Sequence, residues 1–141
     1  LMHMQGEPGS MQVAPHYLDV VTEVRDFLQS RVAACERLGI VREQLLLDPG
    51  FGFGKTVAPN MQLLWGLNQL AATGFPLVVG LSRKSMIGKL LGREMEQRLP
   101  AGLALAVMAV ERGAAIIRTH DVAATADAVA MWSALQEFGE V

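Results

Sequence analysis

The sequence predicts an α/β protein with a parallel sheet, because short apolar runs alternate with longer segments of helical periodicity. Both faces of each predicted strand are apolar, which is typical of sheets covered by helices on both sides. Polar or glycine-rich residues follow every strand. The 141 residues contain no linker or low-complexity segment, so we expect them to belong to one domain.

The first half of the chain begins with a strand end. Residues 1–4 are expected to be the tail of a strand already under way, which indicates that the chain is cut from a longer protein. Apolar residues at helical spacing predict a helix over 17–38, with Pro15 in its first turn. A short strand over 44–47 follows and ends before Pro49.

Two further strand–helix units are predicted next. Asn60 is a suitable N-cap for a helix that Gly74 ends. A strand is expected over 76–81, followed by a loop with a short helix over 82–91. Pro100 is expected to open the next helix.

The last unit completes the predicted alternation. Gly113 ends the preceding helix, and residues 114–118 form a strand. Asp121 is expected to cap a final helix. The sequence thus predicts three complete strand–helix units after an initial strand end and its helix.

Composition excludes several classes of protein. Hydrophobic residues make up 51% of the chain and charged residues 18%, which predicts a packed core. The net charge of −2 is spread along the chain, so we expect no nucleic-acid or membrane partner. No apolar run is long enough to span a membrane and no signal peptide is expected. The single cysteine, Cys35, favours a cytoplasmic protein.

Polar residues follow four successive predicted strands. They are His3 to Gln5, Asp48, Ser82 to Lys84, and Arg118 to Asp121. In parallel α/β folds the carboxyl ends of the strands face a shared mouth, where ligands bind. The sequence therefore predicts a functional site at this edge of the sheet.

Asp48 has two interpretations. A partly shielded carboxylate at a strand end needs several hydrogen-bond donors, and a guanidine-like N–H pair on a ligand would supply them. Alternatively, Asp48 forms an Asx-turn that stabilises the loop after the strand.

The glycine-rich segment 50–56 resembles a phosphate-binding loop only superficially. That motif requires glycine where this chain has Pro49, and its lysine should open a helix, whereas the helix predicted here starts at Asn60. We therefore reject the phosphate-loop hypothesis. The glycines are expected to let the loop approach a ligand, with Phe51 or Phe53 as an apolar wall; a merely flexible loop is the alternative.

Cationic residues follow the last two strands. Ser82, Arg83 and Lys84 can bind anionic or carbonyl oxygens, or they can form a solvated basic turn. Arg118 and His120 alternate along a strand and so point to the same side, which predicts an anion clamp. A structural role for His120 remains the alternative.

Other reactive residues are weaker candidates. His3 is expected to be structural, Met2 to pack near the mouth of the site, and His16 to be exposed at a helix start. Cys35 lies on an apolar helix face without a partner histidine, so catalysis by its thiol is not expected. No spacing of His, Cys and carboxylate residues predicts a zinc site.

Four motifs together resemble the dihydropteroate synthase family, in order and at the family's spacing. They are LMHMQG at 1–6, LDPGFGFGK at 47–55, GLSRKS at 80–85 and IRTHD at 117–121. The resemblance implies a partial (β/α)8 TIM barrel that runs from the end of strand 5 through helix 8. Residues 1–141 would form the C-terminal half of a single barrel domain whose N-terminal half is absent, because such barrels usually have about 250 residues.

The resemblance also implies a reaction and a set of residue roles. The family condenses 6-hydroxymethyl-7,8-dihydropterin pyrophosphate with p-aminobenzoate, for which sulfonamides are analogues, and uses Mg2+. Arg118, His120 and Lys84 would be catalytic, with Arg118 and His120 holding the departing pyrophosphate. The implied substrate-binding set is Met2, Asp48, Phe53, Gly80, Ser82, Lys84, Arg118 and His120.

The resemblance implies further properties of the assembly. The family's metal ligand would lie in the absent half, so no metal ligand is expected in this chain. A homodimer through the later helices is expected. Residues Ala101 and Gly102 depart from the Gly-Ser that the family usually carries there.

Two alternatives stay open. Pterin-binding methyltransferases also resemble this family, but they have no pyrophosphate to bind, so Arg118 and His120 argue against them. The other alternative is a barrel fragment that folds without turnover, and the chain by itself is expected to be inactive.

Overall fold

The computed structural model describes residues 1–11 and 13–139. Its helices, numbered in chain order, are α1 (Val20–Arg37), α2 (Val57–Trp65), α3 (Leu67–Ala71), α4 (Ser85–Leu91), α5 (Leu99–Glu111) and α6 (Val122–Gly139). Its strands are β1 (Leu77–Val79) and β2 (Ala114–Ile117). Two short 3-10 turns lie at Arg42–Gln44 and Met95–Gln97. Within the described residues no helix is both long and apolar enough to cross a membrane.

The strands and two shorter extended segments lie side by side in chain order. β1 pairs in parallel with β2, with Leu77 opposite Ala114 and Val79 opposite Ile117. Single parallel bridges extend this array from Leu77 to Leu47, and from Asp48 to Met2. Each crossover places the next segment beside the previous one, which is the arrangement of a (β/α)8 barrel and agrees with the predicted alternation.

The core lies between these segments and the helices. Leu47 and Leu77 are buried in the sheet, and Val24, Leu28 and Leu63 cover it from α1 and α2. Burial of each such side chain stabilises the fold by roughly 1.5–3 kcal/mol relative to exposure. This packing fixes the carboxyl ends of all four segments at one edge.

The first helix begins later than the sequence predicted. α1 starts at Val20, because the Asp19 carboxylate accepts hydrogen bonds from the amides of Val21 and Thr22 and so caps the helix. Glu23 in turn accepts hydrogen bonds from the amides of Leu18 and Asp19. The prediction that Pro15 lies in the first turn is therefore wrong, since a side-chain cap four residues later ends the extended segment.

The second predicted helix also differs from the structure. Asn60 is not its N-cap, because α2 already begins at Val57 and Asn60 is buried inside it. Gly66 separates α2 from α3, and a side chain there would lie 2.7 Å from a methyl group of Val21. The helix is thus interrupted where it crosses α1, and α3 ends before Gly74.

The strands are shorter than predicted. Residues 42–44 form a 3-10 turn, so pairing in the first predicted strand reaches only Leu47 and Asp48. β1 occupies residues 77–79 of the predicted 76–81, since Pro76 has no amide to donate and the chain leaves the strand at Gly80 before the turn at Ser82 and Arg83. β2 begins at Ala114, as predicted, and ends one residue early at Ile117. α5 begins at Leu99, one residue before Pro100, and ends at Glu111, before Gly113.

Candidate functional site

A polar cleft of about 430 Å3 opens at the carboxyl ends of β1 and β2. Most of its lining residues come from three of the loops that follow the parallel segments, and Met95 comes from the 3-10 turn after α4. The lining residues are Phe53, Gly80, Ser82, Arg83, Lys84, Ser85, Met95, Arg118 and His120. A larger groove of about 570 Å3 lies on the outer side, between the start of α1 and α2. Its acid, Asp19, already caps α1, so the cationic cleft is the better candidate for chemistry.

Lys84 forms the floor of this cleft. Its Nζ lies 4.6 Å from the centre of the Phe53 ring, a cation–π contact. Burial and the nearby Arg118 lower the pKa of Lys84, and the charge of Asp48 opposes this shift. An ammonium that is partly desolvated in this way binds oxygen or nitrogen acceptors more strongly than an exposed one.

Arg118 lies directly after β2, and its guanidinium crosses above β1. A side chain at Gly80 would lie 2.9 Å from the Arg118 Nη2, so the glycine leaves room for this crossing. The amide of Arg118 donates to the carbonyl of Val79, which continues the β1–β2 pairing. The guanidinium is therefore carried on a fixed backbone.

His120 contacts the loop that follows β1. Its Nδ1 lies 3.0 Å from the hydroxyl of Ser82, which also accepts a hydrogen bond from the His120 amide. Arg118 and His120 both line the cleft, as their alternation predicted. Together with Lys84 they place three basic side chains around one opening, an arrangement that fits a polyanion.

Asp48 and Met2 lie on neighbouring segments beside the cleft rather than in its lining. The Asp48 Oδ1 accepts a hydrogen bond of 2.7 Å from the Gly50 amide, which is the Asx-turn foreseen as an alternative. The carboxylate also acts electrostatically on Lys84 and Lys55. A turn-forming role does not prevent ligand binding, since a carboxylate can accept about four hydrogen bonds.

The two phenylalanines of the glycine-rich loop have different environments. Phe53 lines the cleft as expected, but Phe51 is 1% exposed and packs in the core. The expectation that Phe51 could form a wall of the site is therefore wrong. The helix start at Val57 also removes one argument against a phosphate loop. The ammonium of Lys55 nevertheless faces carbonyl groups and not the cleft, so the loop does not act in that way.

Sequence reasoning missed the role of Lys55. This residue is buried, and its Nζ lies 2.9 Å from the Nδ1 of His3. Burial and the Lys55 charge lower the pKa of His3 to about 4, and burial lowers the pKa of Lys55 to about 7. His3 is structural, as predicted. Only the sequence separation of 52 residues hid this pair.

Sequence reasoning also treated Arg83 and Lys84 as one cationic cluster. The structure separates them, because Arg83 has a backbone φ of 57° and its guanidinium binds the carboxylate of Asp121. Lys84 instead points toward Phe53. The sequence signal for this pairing is the acid, Asp121, that directly follows His120 at the neighbouring strand end.

Carboxylate, histidine and cysteine side chains do not cluster into a metal site within residues 1–11 and 13–139. The cleft itself is lined by cations and hydroxyl groups, which are not the ligands that Mg2+ prefers. The donor set of this chain therefore does not fit a magnesium ion by itself.

Comparison with known proteins decides the family. Residues 1–120 match the family described as "Pterin binding enzyme". The chain belongs to this family. Dihydropteroate synthase of Haemophilus influenzae is 50% identical over 134 residues, which cover 95% of this chain and 49% of that protein. The chain thus spans about half the length of the curated relatives it matches.

Solved structures agree with this assignment. Dihydropteroate synthase of Yersinia pestis, solved with a sulfonamide drug, has a TM-score of 0.93 and 47% identity, covering 96% of this chain and 50% of that one. The enzyme of Xanthomonas albilineans, solved with 7,8-dihydropteroate, has a TM-score of 0.89 and 51% identity, covering 96% and 49%. The chain is accordingly a partial (β/α)8 barrel.

Proposed function

We propose that this chain forms the pyrophosphate-binding side of a dihydropteroate synthase active site, in which 6-hydroxymethyl-7,8-dihydropterin pyrophosphate condenses with p-aminobenzoate. The observation that carries the proposal is the convergence of Lys84, Arg118 and His120 on one cleft. Relatives of this sequence that bear the synthase name, and the Xanthomonas structure with 7,8-dihydropteroate, support it.

The geometry suits departure of pyrophosphate. In this reaction the bond between the pterin methylene carbon and a pyrophosphate oxygen breaks, and the aniline nitrogen forms a bond to that carbon and loses a proton. Arg118 and His120 would bind the pyrophosphate as negative charge grows on it. Groups fixed in advance around developing charge lower the barrier most, and both residues are held by β2 and by Ser82.

Asp48, Phe53 and Lys84 would bind the pterin ring beside the pyrophosphate. The carboxylate would accept hydrogen bonds from the guanidine-like edge of the ring, and Lys84 would donate one to it. Phe53 and Met2 would provide apolar contacts, while Ser82 would lie near the carboxylate of p-aminobenzoate. Gly80 would contribute to substrate binding by leaving room for the Arg118 guanidinium, which any side chain there would contact.

Mg2+, a second subunit and a cytoplasmic location complete the proposal. When bound, Mg2+ would neutralise charge on the pyrophosphate, with ligands from outside the described residues. A homodimer through the later helices would cover exposed apolar side chains of α6, such as Met131, Leu135 and Phe138. The single cysteine, Cys35, suits a reducing compartment.

Calorimetric titration of the 141-residue chain would test the proposal with three ligands: the dihydropterin pyrophosphate, inorganic pyrophosphate and p-aminobenzoate. Arg118→Ala and His120→Ala should each weaken inorganic pyrophosphate binding by about tenfold or more, the usual worth of a charged hydrogen bond. Arg31→Ala removes an exposed cation from α1 and is the matched control.

Asp48→Asn separates the two halves of the site. It should weaken binding of the dihydropterin pyrophosphate by roughly 1.5–3 kcal/mol and leave inorganic pyrophosphate unaffected. If Arg118→Ala and Arg31→Ala bound inorganic pyrophosphate with equal affinity, the cleft would not be the pyrophosphate-binding site. Tight binding of a methylated tetrahydropterin without any affinity for pyrophosphate would favour a methyltransferase instead.

A further inference from the structure

Lys55 is the most deeply buried cation near the cleft, yet it does not line the cleft. Its side chain is 3% exposed, and its Nζ contacts three acceptors. These are the Nδ1 of His3 at 2.9 Å, the carbonyl of Gly50 at 2.8 Å and the carbonyl of Phe53 at 3.1 Å. An ammonium has three N–H donors, so each donor is used, and His3 must be neutral with Nδ1 as an acceptor.

The three acceptors belong to two different parts of the chain. His3 lies on the first parallel segment, whereas Gly50 and Phe53 are the two ends of the turn that follows Asp48. The Phe53 amide donates to the Gly50 carbonyl at 3.1 Å and closes this turn. One ammonium therefore joins the first segment to the turn after the second.

The backbones meet so closely at this point that only glycine fits. A side-chain carbon at Gly50 would overlap the carbonyl oxygen of His3, and one at Gly54 would overlap that of Gln5. The carbonyl oxygens of Gly50 and Phe53 also converge on one point, where they repel one another in a medium of low dielectric. The Lys55 ammonium, which both oxygens contact, offsets that repulsion.

The turn held by Lys55 supports the ligand-facing side chains. The Asp48 carboxylate accepts a hydrogen bond from the Gly50 amide at one end of the turn. Phe53, at the other end, lies under the Lys84 ammonium, and a side chain at Gly52 would lie 3.3 Å from the Lys84 Cδ. Movement of the turn would therefore displace Phe53 and the Gly50 amide that Asp48 contacts, whereas Lys84 belongs to the separate loop after β1.

Stability alone does not explain a charge at this position. Burial of an ammonium is costly, and apolar residues often replace buried charges without loss of stability. The pKa of Lys55 is lowered to about 7, chiefly by burial, and the Asp48 charge opposes the shift. A protein is expected to retain such a costly buried ammonium where it holds neighbouring groups in one exact arrangement.

We propose that Lys55 is a positioning residue: its ammonium fixes the turn 50–53 against the His3 segment, and so orients Asp48 and Phe53 toward a pterin ring without touching it. This inference rests on the proposed function, because the pterin is the ligand that the oriented groups would bind.

The test compares Lys55→Met with the parent chain by amide hydrogen exchange and by calorimetry. Methionine keeps the length of the side chain and removes all three donors. Exchange of the Phe53 amide should become at least about tenfold faster, while amides in α5 and β2 keep their rates. Affinity for the dihydropterin pyrophosphate should fall by about tenfold or more, and affinity for inorganic pyrophosphate should not change.

Arg42→Met is the matched control. Arg42 donates to the carbonyl of Thr73 and stacks on Phe75, and none of these three residues lines the cleft. The Arg42→Met variant should lower the free energy of unfolding without altering the exchange rate of the Phe53 amide or the affinity for ligands. In the double variant with Asp48→Asn, Lys55→Met should add less to the loss of affinity than it does alone, because both changes act on the same contact.

Three results would overturn the proposal. They are unchanged Phe53 exchange in Lys55→Met, faster exchange spread equally over α5 and β2, and losses of affinity that add fully in the double variant. If the parent chain binds no dihydropterin pyrophosphate, the proposed function fails for this chain, and Phe53 exchange alone then decides whether Lys55 fixes the turn.

Discussion

Arg83 and Asp121 form a two-point ion pair between the loops that follow β1 and β2. The Arg83 Nη2 lies 2.6 Å from one Asp121 carboxylate oxygen, and the Nε lies 3.2 Å from the other. The hydrogen bonds from Arg83 lower the pKa of Asp121 below its ordinary value. Ser82 and His120 make a second contact between the same loops. The two loops that carry the proposed anion-binding residues are therefore held at a fixed separation.

Asp121→Asn should weaken this connection with little effect on folding. Asparagine is as good a residue as aspartate before a helix, so the start of α6 should survive, and a partly exposed ion pair contributes little to stability. Because the Arg83 loop would then move relative to His120, inorganic pyrophosphate affinity should fall about threefold to tenfold. Asp26→Asn, in the exposed pair with Arg25, is the control. A loss of affinity equal to that of the control would disprove the connection.

Gly50→Ala should be among the most destabilising single changes in the chain. Gly50 has a φ of 69°, and an added Cβ would overlap the His3 carbonyl oxygen, so the turn must separate from the first segment. We expect a loss of about 3 kcal/mol or more in the free energy of unfolding. Gly39→Ala has a similar φ of 83° but open space around it, and should cost only about 1–2 kcal/mol. Equal losses in urea denaturation would show that the contact with His3 is unimportant.

The sequence was sufficient to predict the order of elements and the edge where the site lies. Alternation of apolar runs and helical periods is a local property, and the polar residues after each strand show which edge is functional. Phe53, Gly80, Ser82, Lys84, Arg118 and His120 were all named from sequence and all line one cleft. Their roles in binding and catalysis stay predictions.

The errors have a common physical origin. The starts of α1 and α2 were misplaced, at Pro15 and Asn60, because a helix start depends on which residues reach the free amides, and several candidates compete within a few residues. Phe51 and Phe53 are indistinguishable by pattern, and only packing buries the first. The Lys55–His3 and Arg83–Asp121 contacts join residues 52 and 38 positions apart, which no local pattern encodes.

His3 should make the stability of the fold depend on pH. The pKa of His3 is about 4 in the folded chain and 6.5 in the unfolded chain. Between pH 4 and pH 6.5 the unfolded chain therefore binds more protons than the folded chain. The free energy of unfolding should therefore decrease as the pH falls below 6.5, and this contribution should be constant above it. The expected loss between pH 6.5 and 5 is about 2 kcal/mol.

Urea denaturation across this pH range would measure the effect. His3→Gln should reduce the slope, whereas His16→Gln, which replaces an exposed histidine, should keep it. All three proteins keep every carboxylate of the parent chain, so a difference in slope reports the replaced histidine. An identical slope in the parent chain and in His3→Gln would rule out His3 as its source.

Asn60 should be essential for the glycine-rich turn although it lies in a helix. Its Oδ1 accepts the Gly52 amide at 2.8 Å, and its Nδ2 donates to the carbonyls of Lys55 and Thr56 at 3.0 and 2.7 Å. The side chain is buried, so Asn60→Ala removes three hydrogen bonds from the interior, at a cost of about 2–4 kcal/mol. Asn60→Asp should be at least as harmful, because a buried carboxylate would face two carbonyl oxygens.

Asn68→Ala provides the comparison for Asn60, since Asn68 is an exposed residue of α3 and should change stability by less than about 0.5 kcal/mol. Amide exchange would locate the effect. In Asn60→Ala the Gly52 amide should exchange faster than amides of β1, because the turn loosens before the sheet opens. If Gly52 and β1 instead changed in parallel, Asn60 would support the whole fold and not the turn that carries Phe53.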